Sequence, residues 1–209
     1  MNIILFGPYG SGKGTQGKIL AEKFNLQSFD TGNELRKHVK NNTELGKKIA
    51  DIINRGDLVP DEVIMEVVSS FIDTADKRKG FLFDGLPRKA KQAELFDTLL
   101  KEKGVQVKRI FINIPLSLSI ERQVGRKTCQ KCNAIYPGTY TSDTCEKCGA
   151  IMEKRVENDP AIAQKRVKVY EEETLPVIHN YLEKGLLKEI DGTMNVEKVT
   201  KGILKYLES

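Results

Sequence analysis

The residues that could do chemistry begin at position 7. Gly7-Pro8-Tyr9-Gly10-Ser11-Gly12-Lys13-Gly14-Thr15 follows an apolar run, Ile3-Ile4-Leu5-Phe6, and precedes a helix-like segment from Gln16 to Phe24. Strand, glycine-rich turn, lysine and helix together form a phosphate cradle. Glycines let several backbone N–H groups point at one anion, the helix N-terminus adds the positive end of its dipole, and Lys13 brings a mobile full charge. The spacing G-x-x-x-x-G-K-[ST] is met at Gly7, Gly12 and Lys13, with Gly14 where a hydroxyl residue is expected and Thr15 one place later. Two further sets carry chemistry. Asp84 ends the apolar run Phe81-Leu82-Phe83 and could hold Mg²⁺ directly or through its waters. Cys129-x2-Cys132, a twelve-residue gap and Cys145-x2-Cys148 suit a tetrahedral four-thiolate site for Zn²⁺, closed and structural, which iron or cobalt could also occupy. The gap is shorter than the usual ribbon spacing, so the hairpin between the two knuckles should be trimmed.

These residues need a scaffold, and the pattern supplies one. Met1 to Phe6, Gln27 to Phe29, Phe81 to Phe83, Val107 to Ile114 and Leu186 to Ile190 read as five strands. Helical stretches alternate with them: about Asn33 to Lys40 after Asp30, a second helix capped by Thr43, one opened by Pro60-Asp61, then Ala90 to Lys103 and Leu116 to Gln123. Asp159-Pro160 starts a long helix that Pro176 should kink, and Asn195 caps a terminal helix burying Val196, Val199, Ile203 and Leu207. Such alternation predicts a parallel sheet with helices on both faces and ligands at the carboxyl ends of its strands. Gly125 to Glu157 breaks the alternation, being rich in turn residues, and reads as an inserted subdomain.

Composition excludes several classes. With 39% apolar and 30% charged residues, the 209-residue chain is neither disordered nor membrane-spanning, and its net charge of +5 suits a small anion as well as a polyanion. The four cysteines cluster within twenty positions rather than forming a distributed disulfide framework. No signal-peptide pattern is read, so the expected location is the cytoplasm. Lysines crowd Lys127 to Lys131, but no aromatic residues interleave with them as stacking platforms, which argues against a zinc-ribbon nucleic-acid-binding protein with a vestigial cradle. His38 and His179 lie on helical segments and are read as surface or packing residues.

Gly7 to Gln16, Asp30-Thr31-Gly32 with Arg36, Asp84-Gly85-Leu86-Pro87-Arg88 with Gln92, and Gly125-Arg126 before the cysteines together resemble the adenylate kinase family, in its long form with a zinc-binding lid. The resemblance covers the whole chain. It implies a P-loop NTPase-type α/β fold with a five-stranded parallel sheet, a helical AMP-binding insert and a small zinc-ribbon-like lid. The implied division is a core of residues 1–29, 60–124 and 159–209, a nucleoside-monophosphate insert of residues 30–59, and a lid of residues 125–158. The implied reaction is reversible, Mg²⁺-dependent transfer of the γ-phosphoryl group of ATP to AMP, giving two ADP. It needs positioning and charge neutralisation, and no general base, because the attacking oxygen is already an anion. Another nucleoside monophosphate kinase, acting on UMP, CMP or GMP, is the alternative on the same fold.

Residue by residue, the resemblance implies that Lys13, Asp84, Arg88, Arg126, Arg155 and Arg166 are catalytic. ATP would meet Gly10, Ser11, Gly12, Lys13, Gly14 and Thr15, with Arg122 stacked on its adenine and Arg126, Ile135, Tyr136 and Met194 nearby. AMP would meet Thr31, Arg36, Asp57, Leu58 and Val59, then Gly85, Leu86, Pro87, Arg88 and Gln92, with Arg155 and Arg166 closing over the transferred phosphates. Thr31 and Gln92 would face the AMP adenine, a glutamine amide offering one donor and one acceptor to a base edge. The partners implied are ATP, AMP and ADP, without nucleic acid or membrane, and the chain is expected to be a monomer. Three positions depart from the family pattern: Tyr9 stands for a proline, which should loosen the cradle, Leu86 for a phenylalanine, and Glu157-Asn158 for an acidic pair at the lid hinge.

Overall fold

The computed structural model describes residues 1–76, 78–129, 131–132, 134–152 and 159–208. Arg155 and the Glu157-Asn158 hinge therefore lie outside the described residues. Five parallel strands form the main sheet: β1 (Ile3–Phe6), β2 (Gln27–Asp30), β3 (Phe81–Asp84), β4 (Lys108–Asn113) and, after the lid hairpin β5 (Lys127–Thr128) and β6 (Ile135–Tyr136), β7 (Leu187–Asp191). Their order is β2-β3-β1-β4-β7, so the strand that feeds the cradle is central. Register sets Leu5 beside Asp84 and Asp30 beside Asp84, which brings the strand ends that matter to one rim.

All four β1 residues are buried because helices cover both faces. Ile4 and Phe6 face one layer with α4 (Asp61–Thr74), α5 (Ala90–Glu102) and α8 (Leu175–Glu183); Ile3 and Leu5 face the other with α1 (Lys13–Phe24) and α9 (Val196–Leu207). Phe29, Phe71, Phe81, Phe83 and Phe96 form a chain of tilted and edge-to-face rings across the first layer. The cradle helix is pinned from behind: the Gln16 amide donates to Val196 O at 3.0 Å, and the Thr200 hydroxyl donates to Gln16 Oε1 at 2.8 Å. Val196 is therefore not buried as expected. It is 48% exposed, and its contribution is the carbonyl at the first turn of α9.

The caps fall where expected. Asp30 accepts from Asn33 N at the start of α2 (Thr31–Lys40), and Thr43 from Gly46 N at α3 (Glu44–Asn54). Asp159 caps α7 (Pro160–Val169) and Asn195 caps α9. The long helix is interrupted just ahead of Pro176. A π-turn at Tyr170–Thr174 joins α7 to α8, and the proline enters in the first turn of α8, where a missing N–H costs little. No helix among the described residues is long and apolar enough to cross a membrane.

Candidate functional site

Among the described helix starts, only the cradle helix begins after a residue in the left-handed region. The helices after β2, at Thr43 and at Asn195 each spend a side chain on their first N–H groups, whereas α1 begins at Gly12 with φ 97° and no side-chain cap or acidic residue in its first turn. Thr15 N and Gln16 N donate to Gly12 O at 3.0 and 2.9 Å, and the positive end of the helix dipole faces the cradle. Gly7 is required sterically, since a Cβ there would lie 2.4 Å from Ile112 O. Ser11 Oγ is buried in this loop without a hydrogen-bond partner among the described residues. Gly14 is different again: a Cβ there would sit 3.8 Å from Ile135 Cδ1 and 4.0 Å from Asp84 Oδ2, both ordinary contacts. Hence the β5–β6 hairpin rests over the cradle, as a lid would.

Lys13 Nζ donates to Gly7 O at 2.7 Å and Pro8 O at 3.0 Å. Burial holds this ammonium below its usual range, with Asp84 pulling it back. Asp84 is pushed up to about 6 by burial, against the pull of Lys13. Lys13 and Asp84, both half-buried at the cleft, are placed to meet charges that arrive from outside.

Two cavities meet at this point. The larger is lined by Thr31, Leu35, Arg36, Leu58, Val59 and Ile64, among others, together with Gly85, Arg88, Gln92 and Arg166. The smaller is lined by Lys13, Leu86, Pro87, Tyr170 and Thr174 with Gly85 and Arg88. Arg88 lines both. Its Nε donates to Gly85 O at 2.6 Å, and its carbonyl accepts from the Thr174 hydroxyl at 2.9 Å, so the π-turn fixes it. Tyr9 also lines both cavities.

The structure thus gathers Lys13, Asp84, Arg88, Arg166, Arg36, Thr31 and the Asp57-Leu58-Val59 segment around one cleft. The other expected residues that the structure describes are engaged in further contacts or lie at the surface. Gln92 is buried, with its carbonyl accepting from Arg88 N at 2.6 Å and its amide donating to Asp61 Oδ1 at 3.2 Å. The side chain expected to read a base is here engaged in holding Arg88. Arg122 bridges Gly10 O and Gly192 O at 3.2 and 3.3 Å, tying the cradle to the turn after β7. Tyr136 turns into the lid core, stacked on Tyr140 at 4.4 Å, whereas Ile135 and Met194 are exposed. Tyr9 does not loosen the loop: its carbonyl accepts from Ser119 Oγ at 2.6 Å, and its hydroxyl accepts from Arg88. Sequence reasoning missed the Thr174 and Ser119 contacts, which no local pattern marks.

In the lid, the two knuckles repeat one hydrogen bond, Cys129 N to Ala134 O and Cys145 N to Ala150 O. The four sulfurs lie within 4.8 Å of one another, with Cys129–Cys148 and Cys132–Cys145 at 3.5 Å. These separations are far too long for S–S bonds. They bracket the ~3.8 Å edge of a tetrahedron with metal–sulfur bonds of ~2.3 Å. Cys145 is drawn down to about 6 by the Tyr136 hydroxyl, and Cys129 is lowered by the Cys132 N–H. The four cysteines could bind a metal ion.

Comparison with known proteins agrees in extent as well as kind. The family model described as Adenylate kinase matches residues 5–186. The chain is similar to the adenylate kinase of Archaeoglobus fulgidus, at 38% identity over 100% of this chain and 98% of the relative. It is likewise similar to that of Kosmotoga olearia, at 39% over the full length of both, and that of Caldicellulosiruptor bescii, at 38% over 99% of each.

Proposed function

The chain belongs to the adenylate kinase family, and we propose that it transfers the γ-phosphoryl group of ATP to AMP, reversibly, giving two ADP. It is a phosphotransferase with a phosphate group as acceptor. One observation carries the assignment of the site: Arg88 lines both the cavity that holds Lys13 and the larger cleft beside Arg36. A single guanidinium can then touch both phosphates between which the transfer occurs. In this reading Lys13 and the cradle from Gly10 to Thr15 hold the ATP phosphates, and Asp84 would hold the Mg²⁺ that neutralises part of their charge. Arg36 and Arg88 hold the AMP phosphate. Thr31, Leu58, Val59, Gly85, Leu86 and Pro87 shape the acceptor pocket. Arg126, Arg155 and Arg166 neutralise the charge spread over the transferred group. Zn²⁺ on Cys129, Cys132, Cys145 and Cys148 would hold the lid together. The division into core, insert and lid is supported by separate packing of the lid residues. In the same reading the protein acts in the cytoplasm as a monomer.

A second reading, a kinase for another nucleoside monophosphate, draws on Gln92, whose amide is committed to Arg88 and Asp61. The test is to offer AMP, UMP, CMP and GMP with MgATP and to measure the diphosphate formed. AMP should give the highest kcat/KM, and any other ranking would overturn the acceptor assigned. In the same assay Lys13→Ala should lose on the order of 10²–10³ in kcat. Its stability should change by no more than ~1–2 kcal/mol, because two carbonyl contacts are lost while the cost of a buried charge is removed.

A further inference from the structure

Tyr9 is an aromatic residue in the middle of a phosphate cradle, and its side chain reaches out of the loop. The Arg166 guanidinium carbon lies 3.8 Å from its ring centroid and that of Arg88 lies 5.5 Å away, while Arg88 Nη1 donates to its hydroxyl at 2.9 Å. The two arginines come from different elements, the loop after β3 and helix α7, and carry like charges into one cleft. Left alone they would repel. A ring face attracts one cation and a phenolic oxygen accepts from the other, so the tyrosine gives both a place to wait.

We propose that Tyr9 is a positioning residue, which holds Arg88 and Arg166 together at the cleft and presents them to the phosphate that binds there. The proposal rests on reading the cleft as the acceptor-nucleotide site. Pre-assembly lowers the ordering cost of binding. It also makes the handover sensitive to pH. The groups facing the phenol are Arg88, Arg166, Lys13 on α1 and Tyr170 on the π-turn, with Arg36 across the cleft and Asp84 beside Lys13. Burial pushes the phenol up, but Arg88, Arg166 and Lys13 outweigh it and bring it down to about 8. Below that pH a neutral hydroxyl yields its arginines readily. Above it a phenolate, itself an anion, competes with the incoming phosphate. Phosphate affinity then falls as pH rises through about 8, and bound phosphate must raise the pH at which the phenol ionises.

The test compares full-length wild type, Tyr9→Phe and Tyr9→Leu. Tyr9→Phe keeps the ring and loses the hydroxyl. Its KM for AMP should rise about tenfold with kcat nearly unchanged, and the alkaline fall in kcat/KM should disappear. Tyr9→Leu loses both contacts and should cost about a hundredfold in kcat/KM. An active Tyr9→Phe with the KM and pH profile of wild type would overturn the proposal. A second measurement needs no turnover. The chain has no tryptophan, so phenolate difference absorbance can be followed directly. Wild type should show an ionisation near pH 8 that Tyr9→Phe lacks and that added inorganic phosphate shifts upward. Absence of that ionisation, or indifference to phosphate, would overturn the proposal. Failure of wild type to phosphorylate AMP would instead sink the functional reading, and the phosphate titration would still decide this one.

Discussion

The acceptor-side insert and the cysteine lid are both small excursions from one sheet, yet they are held by different forces. In the insert, α2 and α3 start on side-chain caps, and Leu35, Ile49 and Val59 belong to the same buried cluster as the sheet residues Phe29 and Phe83. The lid has strands of two residues, and its buried cluster is Cys129, Ala134, Tyr136, Cys145 and Met152. Two of those five are sulfur ligands. The insert is an extension of the core and should melt with it. The lid has almost no apolar interior of its own, and we expect it to need a bound ion to stay folded. Independence of a moving part can thus be set by how its interior is made.

Removing the metal should separate the two regions most. Zinc-finger peptides gain ~10–16 kcal/mol from the ion, far beyond what five buried residues, two of them cysteines, could replace. A strong chelator, or Cys145→Ser, should release the metal and speed amide exchange across the described lid residues while the insert stays protected. Unchanged metal content and unchanged lid protection would erase the distinction. A smaller effect is expected from Ile49→Ala, which should cost ~2–5 kcal/mol and lower a single main melting transition, with no separate insert transition. Two transitions would show that the insert folds by itself. The smallest effect concerns the tie between Asp57 and Lys165, a contact of 2.5 Å from the insert to α7 whose side chains are 35% and 45% exposed. Lys165→Ala should shift stability by less than ~1 kcal/mol and KM for AMP by no more than a few-fold. A large loss in thermal melting would move the insert's anchorage from apolar burial to charge.

The sequence makes some of this legible and hides the rest for physical reasons. Strand ends, helix caps and the cysteine set are local: Asp30, Thr43, Asp159 and Asn195 act on N–H groups two or three residues away, so their spacing suffices. The cradle is legible for the same reason. Tertiary partners are not. Gln92 is committed by Asp61, thirty-one positions earlier, and Tyr9 by Arg88 and Arg166, which only the folded sheet brings near. A proline marks where α8 begins, but periodicity does not say that a π-turn absorbs it or that Thr174 then reaches the Arg88 carbonyl.

Gly14 has a consequence for the mutational history open to this cradle. Unlike Gly7 or Gly12, it is held neither by backbone conformation nor by lack of room, since a Cβ there would meet only Ile135 and Asp84 at normal contact distance. The Cβ of a serine would fit, 4.0 Å from an oxygen of the carboxylate proposed to hold magnesium. The chain stands one tolerated substitution from the commoner form of the phosphate loop. At the level of the Cβ, the step between glycine and a hydroxyl residue at this position is sterically open in both directions.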